Sequence, residues 1–264
     1  MSQFGIFGRE VDADTTATHE KLLAKRQPIP PEEMDYPKHI FKALEALREP
    51  RRTYIGASSL GYGLKCARQL WYRQRRDYDM EGRVLRLLDH GNSEEDRLIR
   101  DMRKAGIQVT GEQLEYKVGK LIGHIDALVV DPVHGLENLE VKTSNKKRYI
   151  DLVEAFKGGD KGKHKKALEG WRIHNAQMQL AMGALKLKST LYVLICKDND
   201  ELHFERVPFD KAFFAELVAF VETVSHWQDD TLPARAVELP DQFGVCMWCP
   251  AFDECWDNKI DFNW

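Results

Sequence analysis

Residues 123–144 read GHIDALVVDPVHGLENLEVKTS. Two apolar runs flank DPVHG, whose proline and glycine mark a turn, so the segment reads as a β-hairpin. If the hairpin is symmetric about Val133, Asp126 lies opposite Glu140. Directly opposed residues have Cβ atoms roughly 4.5–5.5 Å apart. Side chains alternate along a strand, so Glu140 and Lys142 share one face while Leu139 and Val141 take the other. Two carboxylates and an ammonium thus converge. Two close carboxylates repel unless a cation joins them. A hard divalent ion such as Mg²⁺ or Mn²⁺ suits oxygen ligands. It would bind a phosphate oxygen and activate a water, with Lys142 orienting that water or offsetting transition-state charge. The bland alternative is a hairpin with ordinary surface charges.

Working outward, the pattern before the hairpin predicts a helix over Val84–Ala105, stopped by Gly106. Its apolar stripe is Leu88, Gly91, Leu98, Ile99 and Met102. Glu95 falls inside the stripe, and a carboxylate on a buried face is costly without a partner such as a metal. Gly91 is expected to allow close approach. The alternative is a slightly rotated helix from which Glu95 snorkels. After the hairpin, a helix over Trp171–Leu187 has the stripe Ile173, Gln177, Leu180, Ala184 and Leu187. Gln177 is its polar member, either a ligand to Lys142, water or phosphate, or a satisfied core amide. His124 is expected to share a face with Asp126. His90 and His174 read as structural.

Further strands are expected at Gln113–Val118, Ile122–Val130, Leu136–Thr143, Thr190–Lys197 and Leu202–Pro208. Further helices are expected at Ile40–Leu47, after Ser58 or Ser59 through CARQLWYR, and at Lys211–Trp227. The order of helix, three strands, helix and strand predicts an α/β fold, a mixed central sheet flanked by helices. Residues 1–50 read as a leader with a short helix, and 51–264 as one domain. A chain of 264 residues, 43% hydrophobic, is long enough for one substantial core.

The net charge is −3, but from Lys142 to Arg172 there are ten Lys/Arg against four Asp/Glu, a local +6. A basic strip on an acidic body fits phosphate binding, or a solvated loop. Lys146, Lys147, Arg148, Lys163, Lys165 and Lys166 are the candidate phosphate contacts. Arg51, Arg52, Arg73, Arg75 and Arg76 are expected to extend the track. Trp71 and Tyr72 either stack on bases or pack in the core. No apolar run reaches membrane-spanning length, and the opening residues show no secretory pattern, so the cytoplasm is the expected compartment.

Five cysteines in such a compartment favour metal binding or burial over disulfides. Cys246, Cys249 and Cys255 form C-x₂-C-x₅-C, and Cys66 is the candidate fourth ligand. Cys196, in an apolar strand, reads as core. Zinc also takes Cys₄ sites, and unliganded thiols are the remaining alternative.

In order along the chain, Gly91…Glu95, Gly123…Asp126, Glu140-Val141-Lys142 and Gln177 resemble the motifs of the RecB-like branch of the PD-(D/E)XK nucleases, over about residues 56–256. The tyrosine that often follows the glutamine by four residues is Ala181 here. The resemblance implies that Glu95, Asp126, Glu140 and the Val141 backbone carbonyl bind the metal. The one-early, three-late cysteines are similar to the iron–sulfur nucleases of the AddB and CRISPR-adaptation types. That likeness implies a 4Fe–4S cluster on Cys66, Cys246, Cys249 and Cys255. The implied activity is a metal-dependent DNA exonuclease of recombination, repair or phage DNA processing, in a bacterial or phage-infected cytoplasm. A non-catalytic DNA-binding scaffold of the same fold is the alternative. No helicase motif is present, so unwinding would need a partner such as a helicase, a recombinase or a single-strand annealing protein.

Overall fold

The computed structural model describes residues 35–47, 52–158, 165–228, 230–240, 245–246 and 249–256. Two sheets organise the chain. The larger is mixed and five-stranded, in the order β2 (Gln108–Thr110), β5 (Ala127–Asp131), β6 (Gly135–Ser144), β7 (Ser189–Cys196), β8 (Leu202–Pro208). Only β6 and β7 are parallel. Parallel neighbours need a long crossover, and it carries two helices, α5 (Lys146–Phe156) and α6 (Lys165–Leu185). The smaller sheet has three strands in the order β1 (Ile55–Gly56), β4 (Leu121–His124), β3 (Glu115–Val118). The remaining helices are α1 (Tyr36–Ala46), α2 (Ala57–Lys65), α3 (Ala67–Arg75), α4 (Gly82–Lys104), α7 (Lys211–Ser225) and α8 (Phe252–Cys255). The fold is α/β, with mixed sheets flanked by helices.

The alternation of the central strands divides their side chains between two cores. Leu139, Val141, Val193 and Ile195 pack against Leu98, Ile99 and Met102 of α4. On the other face Tyr192, Leu194 and Cys196 meet Tyr149 and Leu152 of α5 and Met178 and Met182 of α6. A third cluster joins Tyr116, Val118 and Leu121 of the small sheet to Leu60 and Leu70, to Ala176 and Leu180 of α6, and to Leu217 and Val221 of α7. α6 therefore touches both sheets, and ties them together.

Several elements differ from expectation, each for a local reason. The single strand expected over Ile122–Val130 is two strands in different sheets, parted at Ile125–Asp126. His124 therefore does not share a strand face with Asp126; it lies 3.7 Å from Glu115 in the small sheet. The helix expected through Cys66 breaks there, because Cys66 has an extended backbone (φ −151, ψ 103) and serves as C-cap of α2 and N-cap of α3. The N-cap of α2 is Gly56, not Ser58 or Ser59. The basic stretch begins as helix α5, with Asn145 capping Arg148 N–H. Leu88 of α4 is 54% exposed, since the buried residues of that stripe are those of its last two turns. Short strand β2 was not anticipated.

Gly123 shows how closely the small sheet is built. A Cβ there would lie 2.3 Å from Cζ of Tyr116 on the neighbouring strand. Tyr116 is 3% exposed, and its hydroxyl donates to the Gln177 carbonyl of α6 at 3.4 Å. Gly123→Ala is expected to force that ring aside and to destabilise the fold by about 1–3 kcal/mol, the usual cost of overpacking. Urea unfolding of the variant beside wild type measures this.

Candidate active site

Asp126 stands at the bend where the chain leaves the small sheet for the large one. Two main-chain bonds hold the bend: Ile125 N–H to Leu114 O at 3.1 Å, and Gln113 N–H to Asp126 O at 3.3 Å. The hairpin then pairs Ala127 with Leu139 and continues to Asp131 with Gly135. That register is symmetric about Val133, so one further step brings Asp126 to Glu140. The turn is held by Asp131, whose Oδ1 accepts from Val133 N and His134 N, both at 2.8 Å. At the other end of the hairpin, Val141 N–H donates to Asp126 Oδ2 at 2.6 Å.

Lys142 completes the cluster. Its Nζ lies 2.5 Å from Glu140 Oε1 and 3.9 Å from Asp126 Oδ2, and donates to the Val141 carbonyl at 3.0 Å. Glu140 is 1% exposed. Its Oε1 has the ammonium as an ion-pair neighbour but no well-aligned hydrogen bond among the described residues. Burial pushes the Glu140 carboxyl up, against Lys142 and with help from the negative charge of Asp126 and Glu95. Burial disfavours the Lys142 charge, but Glu140 and Asp126 outweigh it and hold the ammonium firmly protonated.

Glu95 reaches the same charges from α4. Its Oε1 accepts from Gln113 Nε2 at 2.9 Å. Burial and then Asp126 push its carboxyl up to about 7, opposed by Gln113 and Lys142. Gly91 is less tight than expected: a Cβ there would meet only Thr143 Oγ1, at 3.9 Å, an ordinary contact. Gln177 is half-buried on α6; its backbone carbonyl accepts from the Tyr116 hydroxyl, and its side chain has no hydrogen bond among the described residues. The satisfied core amide of that helix is instead Gln179, 1% exposed, bonded to Asn175 Oδ1, Pro208 O and Asp210 N–H.

Two neighbours, Tyr192 and Gln113, were not identified from sequence. Tyr192 pairs in register with Glu140 across β6 and β7, is 0% exposed, and lies 3.0 Å through its hydroxyl from His174 Nδ1. Burial, with Lys142 and Arg148 nearby, keeps His174 neutral, its pKa well below the ordinary value. The only sequence signal for Tyr192 is a polar tip in the apolar run LYVLIC. Gln113, at φ 54, had no signal at all.

Of the basic residues, Lys146, Lys147 and Arg148 are exposed on the first turn of α5. Arg148 lies across Gly170 of α6. Lys165 and Lys166 open α6, and Lys163 lies outside the described residues. Arg75 donates to Trp227 O and Arg76 to Glu254, while Trp71 and Tyr72 are each 6% exposed. These four meet residues 227, 228, 251 and 254, so the aromatic pair packs in a core and is covered from solvent.

Cys66, Cys246, Cys249 and Cys255 line one cavity, together with Arg68, Tyr72 and Trp256. Burial pushes the Cys249 thiol up to about 11, and Cys66 and Cys246 add to this. Arg68 Nη1 lies 4.0 Å from Cys255 Sγ, and its Nε is anchored on Pro233 O at 2.6 Å. Cys196 is fully buried in the core. Among the described residues no three His, Cys, Asp or Glu side chains are drawn close enough to hold a metal ion as they stand.

No family model matches this chain, and no curated protein matches it. Solved structures give low-level likenesses. LHK-Exo in complex with dAMP has a TM-score of 0.41 and 17% identity over 71% of this chain and 90% of that one. The alkaline exonuclease LHK-Exo from Laribacter hongkongensis has 0.43 and 16% over 70% and 90%. SSO0001 has 0.43 and 14% over 83% and 95%. Figures this low carry no functional argument, which rests on the side chains themselves.

The crowded carboxyls make a prediction for the metal-free protein. Between pH 4.5 and about 7 the folded chain keeps the Glu95 proton that the unfolded chain releases. Stability contributed by this group therefore falls as pH rises through that window. Glu95→Gln removes the repulsion. Its melting temperature is expected to exceed that of wild type by roughly 2–4 °C at pH 8, a modest gain because the site is partly screened. The two are expected to melt together near pH 4. Calorimetry in EDTA at both pH values checks this.

Proposed function

We propose that the chain is a Mg²⁺- or Mn²⁺-dependent deoxyribonuclease that degrades DNA from its ends. The observation that carries this reading is the gathering of Asp126, Glu140 and Glu95 around the Lys142 ammonium, at the bend between two sheets. The donor set suits a hard cation: carboxylate oxygens, the Val141 carbonyl, and a buried Glu140 oxygen without an aligned hydrogen bond. Asp126, Glu140, Glu95 and Val141 O would hold the ion. When bound, it would polarise a phosphate oxygen and make a coordinated water a better nucleophile. Asp126 is pre-set by Val141 N–H and Glu95 by Gln113, so both carboxylates are oriented before any ligand arrives. Lys142 supplies the positive charge that offsets charge growing on the phosphate. Gln177, half-buried on the neighbouring helix, is the proposed polar contact to water or phosphate.

Lys146, Lys147 and Arg148 follow directly on the strand bearing Glu140 and Lys142, and would grip the DNA backbone beside the site, with Lys163, Lys165 and Lys166 beyond. Phosphate contacts position DNA without reading sequence, which favours action at ends over recognition of a site. Among the described residues no helix is long and apolar enough to cross a membrane. The four cysteines around one cavity support a 4Fe–4S cluster, or zinc, tying Cys66 to the far end of the chain.

End-labelled linear DNA, single- and double-stranded, incubated with Mg²⁺, Mn²⁺ or EDTA, tests the reading. Metal-dependent shortening from the ends is expected, and Asp126→Ala and Glu140→Gln are each expected to lower the rate by about 100-fold or more. Binding without cutting under every metal would instead favour a DNA-binding scaffold. For the cysteine cavity, the pure protein is expected to be brown and to contain iron and sulfide. Cys249→Ser is expected to lose both the colour and much of its solubility, measured by absorbance and soluble yield. A soluble, brown Cys249→Ser protein counts against the cluster.

A further inference from the structure

The oxygens assigned above to a divalent ion already face a cation. Lys142 Nζ lies 2.5 Å from Glu140 Oε1, 3.0 Å from Val141 O and 3.9 Å from Asp126 Oδ2. One ammonium thus meets the same carboxylates and the same carbonyl that the metal reading uses. An ammonium and a divalent ion cannot share these oxygens, because like charges at such distances repel strongly where the surroundings are partly dry. We infer that Lys142 is the counter-ion of this cluster before a metal binds, and that metal entry displaces its ammonium toward the substrate. This rests on the metal reading of the site and deepens it.

The chain is built for such a displacement. Lysine carries a compact charge on a flexible four-carbon stem, so the ammonium can move while strand β6 stays in place. Its side chain is 25% exposed, whereas Glu140 is 1% exposed, so the cluster has an open side on which the ammonium can be received. The wall formed by Tyr192 and His174 is polar but uncharged, since burial keeps the imidazole neutral. The charge leaving the carboxylates is the charge the phosphate then receives. Metal uptake and phosphate binding are therefore coupled through one side chain, and Lys142 engages phosphate only after the metal is in place.

The test is Mn²⁺ binding without DNA, by isothermal titration of wild type and Lys142→Met, with Asp126→Ala as the baseline for binding elsewhere. Lys142→Met is expected to bind Mn²⁺ about tenfold more tightly than wild type, because no internal cation competes. Equal affinity in the two overturns the inference and leaves the metal reading standing. Absence of Asp126-dependent Mn²⁺ binding in wild type overturns both. If Lys142→Met does not fold, wild type alone decides. Acylation of Lys142 by an amine-reactive reagent, followed by mass spectrometry, is expected to speed up when Mg²⁺ is added. A rate unchanged by Mg²⁺ overturns the displacement.

Discussion

The candidate site depends on one electrostatic constraint: Asp126 and Glu140 share the Lys142 ammonium in partly dry surroundings, and the charge of Glu95 acts on both. Such a cluster is unfavourable alone, and it persists because the fold over-determines it. The hairpin register carries Asp126 to Glu140, Val141 N–H clamps Asp126, Gln113 clamps Glu95, and Lys142 supplies the positive charge. Burial raises Glu95 and Glu140 above the ordinary carboxylate range.

The two sheets exist in this arrangement because α6 packs on both. It sends Ala176 and Leu180 into the small-sheet core and Met178 and Met182 against the central sheet. The bend at Ile125–Asp126 is the point where the chain crosses from one sheet to the other. A residue at such a crossing lies outside regular pairing, so its carboxylate is free to accept from a main-chain N–H of the partner strand. The same helix contributes His174, which with Tyr192 closes the site on that side.

Residues 227, 228, 251 and 254 are held to α3 and its C-cap by contacts of a different kind. Arg75, Arg76 and Trp71 reach residues 227, 254 and 228, and Ala251 packs on Trp71 and Tyr72. The four cysteines line the cavity in this region. A ligand bound there would close a loop of nearly the whole domain, the case in which cross-linking constrains the unfolded chain most.

What the sequence by itself determined is whatever depends on neighbours along the chain. The hairpin register followed from its turn, because an Asp-Pro start and a Gly end leave few ways to pair two alternating strands. Helix α4 with its Gly106 stop, strand β8 and the buried Cys196 were legible for similar reasons. The α/β class was legible from the order of elements. The tertiary structure decided the rest. Periodicity could not split Ile122–Val130, since both halves are apolar and the break reflects which sheet each joins. It could not choose Gln179 over Gln177 as the satisfied core amide, because the partners, Pro208 and Asp210, come from the end of β8 and the cap of α7, 29 and 31 residues away. It gave no sign of Gln113, and only a polar tip in an apolar run for Tyr192. Those placements depend on burial and Coulomb interactions between groups far apart in the chain, and neither is encoded in local spacing.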